Sequence, residues 1–242
     1  MVLTVVYAIL FYIAAALFIA GVTRKIVIYS KTPQPLKIPT TPAPITKSGV
    51  AWRMIKEVTV FESLYKSNKW IWIFGWMFHA GLFLVLARHL RFFLEPVPTV
   101  ITLVQPFGKY AAFAMIAGLI GLWARRFFVD RVRYISSMSD HLMLLLLLTI
   151  GVSGALMTFG GQELNTDITA VKAFVMGLMF FDLQPLPDST FLLIHLALVA
   201  VLMIIFPISK LLHAPGVFFS PTRNQTDDVR EHRHVAGWSA KT

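Results

Sequence analysis

The sequence predicts an all-α integral membrane protein, a bundle of five transmembrane helices with its N-terminus outside and its C-terminus in the cytoplasm. Three observations predict it. First, the 242 residues are 57% hydrophobic and 14% charged, with a mean hydropathy of +0.70, too apolar for a chain whose surface meets only water. Second, five apolar runs, 2–22, 70–93, 110–128, 141–159 and 189–212, approach or exceed the roughly 20 residues that a helix needs to cross hydrocarbon. Third, Lys and Arg collect between particular runs, as they do in loops retained in the cytoplasm.

The first run reads as a mature helix rather than a cleaved signal, because its basic residues follow the apolar stretch and no small-residue cleavage site is evident. Between the first two runs stand Arg24, Lys25, Lys31, Lys37, Lys47, Arg53, Lys56, Lys66 and Lys69, which assigns the loop 23–69 to the cytoplasm. Its first part carries Pro33, Pro35, Pro39, Pro42 and Pro44, a spacing that favours an extended spacer. After a cap at Ser48, Trp52, Ile55, Val58 and Phe61 alternate with basic residues, suiting either a helix on the membrane surface or a solvated connector.

Arg125, Arg126, Arg131 and Arg133 put the link between the third and fourth runs on the same side. The segment 160–188 has Glu163, Asp167, Asp182 and Asp188 against Lys172 alone, and is expected outside. Within it, 171–181 is apolar but short, which predicts a re-entrant or interfacial helix. The expected domains are a membrane domain over 1–219 and a polar cytoplasmic tail over 220–242. The net charge of +10 is spread through inter-span loops, so the expected partner is the lipid bilayer and not nucleic acid.

The chain has no cysteine, which excludes a resident iron–sulfur cluster, a thioether-attached haem and a disulfide. Any redox centre must use histidine or methionine. An ionisable residue inside a span marks function by default, and four histidines qualify. His79 and His89 are ten residues apart on the second run, about 15 Å along a helix. His195 and His213 are eighteen apart on the fifth, five helical turns, which puts them on one face if the helix is continuous. Opposite helix directions then level His89 with His195 in the outer leaflet and His79 with His213 in the inner one. The unequal rises, about 27 Å against about 15 Å, require tilt or bending, for which Pro207 offers a kink.

Two imidazole pairs suit two six-coordinate haem b groups dedicated to electron transfer. Gly75 and Gly81 flank His79 and fit either a porphyrin near the backbone or plain helix packing. Arg88 and Arg91, or Arg125 and Arg126, offer charge-assisted hydrogen bonds to haem propionates, although positive flanking of an inner helix end explains Arg125 and Arg126 equally well. His141, beside Asp140, has no level-matched partner, and His232 and His234 fall in the tail; none of the three is expected to be a ligand. A haem-free anchor or transporter subunit, with histidines that relay protons or brace helices, is the alternative reading.

The histidine spacings of ten and eighteen resemble those of the gamma subunit of respiratory nitrate reductase, over nearly the whole chain. The stretch Lys69-Trp70-Ile71-Trp72-Ile73-Phe74-Gly75-Trp76-Met77-Phe78-His79, with Arg88-His89-Leu90-Arg91 and Glu95-Pro96, most resembles the membrane cytochrome b of Dsr-type electron-transport complexes of sulfur metabolism. The resemblance implies a five-helix dihaem fold and pairs His79 with His213 and His89 with His195. It also implies a quinone-site lysine twenty residues after the outer ligand, where Lys109 stands; otherwise Lys109 is an interfacial lysine reaching for the surface. Arg88 occupies the position of a glycine usual in the nitrate reductase branch. The implied substrate is menaquinone or ubiquinone. The implied partners are a cytoplasmic heterodisulfide-reductase-like iron–sulfur protein, a multihaem cytochrome c and other membrane subunits.

Overall fold

The computed structural model describes residues 1–34, 38–40, 42–162 and 164–228. Pro35, Lys37, Glu163, His232 and His234 therefore lie outside the described residues. The chain is all-helical, with no strand among the described residues. Its α-helices are α1 (Val2–Lys31), α2 (Lys47–Thr59), α3 (Glu62–Ser67), α4 (Lys69–His89), α5 (Thr99–Phe128), α6 (Asp130–Ile135), α7 (Met138–Phe159), α8 (Ile168–Phe180), α9 (Thr190–Ile205), α10 (His213–Gly216) and α11 (Pro221–Asn224). Five helical stretches, built on α1, α4, α5, α7 and α9, are long and apolar enough to cross a membrane. Large apolar side chains such as Phe83, Leu103, Leu142 and Ile194 stay exposed on them, as a hydrocarbon solvent allows.

Two helices start earlier or end later than hydropathy suggests. α1 runs on through Lys25 to Lys31 because nothing in Arg24–Lys31 breaks a helix. α5 begins at Thr99, after Pro98, and contains Pro106 as its eighth residue. Thirty residues make about 45 Å of helix, longer than a hydrocarbon core of about 30 Å, so each projects beyond it.

The described residues fall into two compact units: Met1–Ala16 with Asn68–Ile204, and Leu17–Ser67 with the chain from Ile205 onward. The first is built on α4 and α5, which pack so closely that their backbones touch. A Cβ on Gly118 would lie 2.7 Å from the Phe78 nitrogen, one on Gly81 2.8 Å from the Met115 nitrogen, and one on Gly108 2.6 Å from the Leu84 oxygen. Only glycine permits that approach, and inside a bilayer such packing stands in for the missing hydrophobic drive. Of the two readings of Gly81, helix packing is therefore the one its surroundings support. α7 covers the seam, where Leu144, Leu147 and Leu148 pack on Phe78, Met115 and Leu119. The start of α1 is tied in by polar contacts: Tyr7 donates to the Leu193 carbonyl at 2.9 Å, Tyr12 to that of Leu178 at 3.0 Å, and buried Thr4 accepts from the Leu186 N–H.

The short apolar helix expected at 171–181 is α8, capped by the Asp167 carboxylate on the Thr169 and Ala170 N–H groups. It ends where Phe181 turns left-handed at φ 60°. α8 packs on the 3₁₀ turn Leu90–Phe92, and Lys172 pairs with Glu95. α7 opens with a capping box between Ser137 and Asp140.

In the second unit, α2 starts two residues earlier than a cap at Ser48 suggests, because Thr46 and not Ser48 is the cap, accepting from the Gly49 N–H at 3.1 Å. Trp52 and Ile55 are exposed on α2, while Val50 is buried. The described part of the segment after Pro215 is docked: Arg223 donates to Ser63 and pairs with Glu57 at 3.1 Å, and the Asp227 N–H bonds the Pro44 carbonyl. The fifth apolar run is broken. α9 ends at Ile205, a 3₁₀ turn spans Phe206–Ile208, Ser209 is extended at φ −100° and ψ 170°, and a second 3₁₀ turn covers Lys210–Leu212. Pro207 lacks the N–H needed to continue the helix. The expectation of one continuous five-turn helix from His195 to His213 is thus corrected, and their common face does not follow from helical phase.

Candidate functional site

Within the first unit α4 brings His89 opposite His195 of α9. Their ring centres are 6.4 Å apart and their planes are within 13° of parallel. Two imidazoles bound to a single metal ion at about 2 Å each put their centres about 6 Å apart, so the gap has the width of one shared ion.

The supporting hydrogen bonds fix which nitrogen of each ring keeps its lone pair. Nδ1 of His89 is 2.7 Å from the Val85 carbonyl, a pure acceptor, so Nδ1 carries the proton and Nε2 offers its lone pair. Nδ1 of His195 is 2.9 Å from the Ser153 hydroxyl. That hydroxyl donates its proton to the Ile150 carbonyl at 3.0 Å, so it accepts from His195 Nδ1–H. Again Nε2 is left with the lone pair. Gly154, next to Ser153 on α7, leaves room beside the ring: a Cβ there would touch His195 Cε1 at 3.4 Å.

His79 and His213 share this arrangement, each in its own unit. Nδ1 of His79 donates to the Gly75 carbonyl at 2.7 Å, and Nδ1 of His213 to the Lys210 carbonyl at 2.8 Å. His141 is wired the other way, its Nδ1 accepting from Trp123 Nε1–H at 3.1 Å. The four histidines predicted to be ligands thus share a tautomer that the fifth described histidine does not. An outer partner that holds the second ring nitrogen is the usual support of a metal-binding imidazole.

Among the described residues no three His, Asp or Glu side chains gather as a metal cluster. A facing histidine pair alone supplies two axial ligands, which fits a metal that brings its own in-plane donors, as a porphyrin does. The surroundings fit such a group in a second respect. Arg91 Nε is buried without a hydrogen-bond partner, its guanidinium lying 4.8 Å from the Phe92 ring centre, two residues from His89.

The other predicted residues divide by what they touch. Arg88 donates to the Gln105 carbonyl at 3.3 Å, while Gln105 Nε2 returns to the Arg88 carbonyl, so this side chain braces α4 on α5. Arg126 bonds Ser136 at 2.9 Å and faces buried Asp140 at 3.6 Å, which gives it a structural partner at the end of α5. Lys109 does not open its helix. It sits more than two turns inside α5, with Nζ 5.0 Å from the Phe159 ring centre and 5.8 Å from that of Tyr110. Phe159 closes α7 five residues beyond Gly154, about 7.5 Å further along that helix. Ser153, Gly154 and Trp123 were not anticipated. The signal available for the first two was a Ser-Gly step inside an otherwise large-residue apolar run.

Fold and site together define a polytopic membrane protein that holds facing histidines between spanning helices. The chain belongs to the nitrate reductase gamma subunit family, whose model matches residues 48–228. It is similar to the Hdr-like menaquinol oxidoreductase cytochrome b-like subunit of Archaeoglobus fulgidus, at 37% identity over 94% of this chain and 81% of that one. The protein of the same description from Archaeoglobus profundus is 32% identical over 94% of this chain and 80% of its own length. The protein is thus a multi-pass protein of a prokaryotic cytoplasmic membrane.

Proposed function

We propose that the chain is the dihaem b-type subunit of a membrane complex and carries electrons between the quinone pool and a cytoplasmic iron–sulfur partner. The observation that carries this reading is the His89–His195 pair, with near-parallel rings one ion's width apart and Nδ1 of each ring engaged elsewhere, which leaves both Nε2 lone pairs available. The relatives' description as menaquinol oxidoreductase cytochrome b-like subunits supports quinone-linked electron transfer, and menaquinone over ubiquinone. The Hdr-like part of that description supports a heterodisulfide-reductase-like iron–sulfur protein as the cytoplasmic partner, which a chain without cysteine requires. Further membrane subunits and a multihaem cytochrome c, in the service of sulfur metabolism, complete the assignment by resemblance.

In this reading His89 and His195 hold the outer haem, and His79 and His213 the inner one. Haem b, when bound through two imidazoles, supplies a one-electron carrier with no coordination site open to oxygen. The Nδ1–H bonds of the four ligands raise their basicity and fix their rings. Arg91, with Arg88 beside it, offers cationic hydrogen-bond donors to the outer propionates. Lys109 donates a hydrogen bond to a carbonyl of the quinone headgroup and favours the negative charge that builds there. The N-terminus lies outside and the loop 23–69 inside, following the distribution of Lys and Arg.

A reduced-minus-oxidised spectrum of the purified chain tests the class directly, and a featureless result would return the chain to a haem-free anchor. Resolved into two components, the spectrum should lose one in His89→Ala and in His195→Ala, and the other in His79→Ala and in His213→Ala. Loss of the same component in His79→Ala and His195→Ala would break the pairing. Single cysteines introduced into the Pro-rich loop should resist an impermeant thiol reagent in intact cells, and their labelling would invert the topology.

A further inference from the structure

The two faces of α2 meet different surroundings. On one side Val50 is buried, and the nearly buried Glu57 carboxylate pairs with Arg223 of α11 at 3.1 Å. At about 100° per residue, Ala51, Trp52, Ile55 and Val58 fall in an arc of about 120° on the other side. All four are exposed, Trp52 at 61% and Ile55 at 51%. Two hydroxyls share that arc, and both are turned back on the chain. Thr59 donates to the Ile55 carbonyl at 2.7 Å, and the Ser48 hydroxyl bonds that of Thr46 at 3.3 Å. The outward face is therefore apolar in its chemistry.

Charge is sorted around that face. Lys47 borders the arc beside Val58, and Lys56 borders it beside Trp52. The segment 47–69 has the basic residues Lys47, Arg53, Lys56, Lys66 and Lys69 against the acids Glu57 and Glu62. Both acids are engaged within the protein, Glu57 by Arg223 and Glu62 by Lys56 at 2.7 Å and Lys66 at 2.9 Å. The segment is thus net positive with no carboxylate left over. Nine residues separate the end of α2 from the start of α4, which is long and apolar enough to span the bilayer. A tryptophan at the polar edge of an apolar arc, with lysines on both borders, matches the boundary between acyl chains and anionic headgroups. A groove on a protein would take the same apolar anchors, but would need an acidic rim on each side to suit the lysines.

We infer that α2 lies in the plane of the bilayer surface, with Ala51, Trp52, Ile55 and Val58 in the headgroup–acyl boundary and Lys47 on an anionic headgroup. Of the two settings expected for this helix, membrane surface and solvated connector, the first is selected. The inference does not depend on haem or quinone, and adds a lateral attachment to the five spanning stretches. Because α11 is pinned to the inner face of α2 by Arg223, the same attachment holds the described C-terminal segment at the membrane surface.

The test uses the full chain in lipid nanodiscs of phosphatidylcholine, with and without phosphatidylglycerol, where both bilayer faces are open to reagents. Because the chain has no cysteine, Ala51→Cys and Ile55→Cys can each carry a single nitroxide. Phe83→Cys, on the exposed face of a span, gives the reference for hydrocarbon. At Ala51 and Ile55, as at Phe83, the nitroxide should be more accessible to oxygen than to a water-soluble nickel chelate. The free thiol of Ile55→Cys should react slowly with an impermeant maleimide. Adding Trp52→Glu should speed that reaction about tenfold or more, the worth of burying one large apolar side chain. Adding Lys47→Gln should speed it about fivefold in discs with phosphatidylglycerol and leave it unchanged in neutral ones. The nitroxide variants alter only exposed residues, so the depth measurement decides the matter even if Trp52→Glu fails to fold. Nickel access above oxygen access at both positions would overturn the inference and leave α2 a solvated connector. Shielding from both reagents, in the chain alone or only in an assembled complex, would overturn it in favour of a protein partner.

Discussion

The surroundings of His89 and His195 differ in kind from those of His213. The first two stand on long unbroken helices, α4 and α9, braced by α5 and α7 in a unit where backbones meet through glycine. His213 stands at the junction of a 3₁₀ turn and a one-turn helix, after a proline break, beside an open cavity. Continuous helices fix the first two rings by packing. Short turns fix the other mainly through local hydrogen bonds, such as the Ser209 cap on the Leu211 N–H and the His213 bond to the Lys210 carbonyl. Loss of a close contact should therefore cost more around the first pair than around His213.

Paired glycine substitutions would break that contrast most directly. Gly118→Leu drives a side chain into the Phe78 nitrogen and the Phe74 oxygen, so it should destabilise the protein by about 3 kcal/mol or more. Gly216→Ala adds a Cβ whose nearest neighbour is Tyr29 at 3.8 Å, and should be close to neutral. Thermal unfolding in detergent compares the two, and equal effects would show that the units are packed alike.

Ser153→Ala sharpens the comparison at the level of a single hydrogen bond. It removes the acceptor of His195 Nδ1–H and should weaken retention of the outer component by about tenfold or more. Haem transfer to a globin reads this, and unchanged retention would mean that packing alone orients His195. No side-chain substitution can do the same to His213, whose acceptor is backbone.

Lys109→Ala should leave both spectral components in place and slow reduction by a menaquinol analogue roughly three- to tenfold, the worth of one hydrogen bond. Normal quinol kinetics would return Lys109 to its contacts with Phe159 and Tyr110 and move the search to Arg88.

The smallest expected effect lies in the second unit. The Glu62 carboxyl is held down to about 2 from an ordinary 4.5, first by the hydrogen bond from Lys56 and then by that from Lys66. Because its folded value is lowered, the stabilisation is complete above the ordinary value and drains away as pH falls toward about 2. Glu62→Gln should make peptic cleavage within α2 and α3 less pH-dependent across that window without altering either spectral component. An identical pH profile would show that the pair with Lys56 contributes nothing to the fold.

Much of this was legible beforehand because a bilayer writes its demands into long apolar runs. The five spans follow from run length, and the four histidines stand out because ionisable residues are rare there. Breaks and near neighbours were less legible. Pro207 announced a kink, but nothing local showed that Ser209 would become extended and end the helical phase linking His195 to His213. Hydropathy began the third span at Tyr110, yet α5 starts at Thr99 and runs on through Pro106, an interior proline of the kind membrane helices tolerate, and through the single charge of Lys109. Ser153 and Trp123 act through partners 42 and 18 residues away, distances at which one sequence carries no pairing signal.

The glycine seam between α4 and α5 has a last consequence, for speed. Both His79 and His89 ride on α4, and Gly81, Gly108 and Gly118 leave that helix no slack to shift or roll against its neighbour. A redox centre pays an activation cost in proportion to how far its surroundings must rearrange when charge arrives, and a preorganised frame keeps that cost low. In the dihaem reading, residues with no side chain, which touch neither iron nor quinone, would govern how little the scaffold recoils at each electron hop.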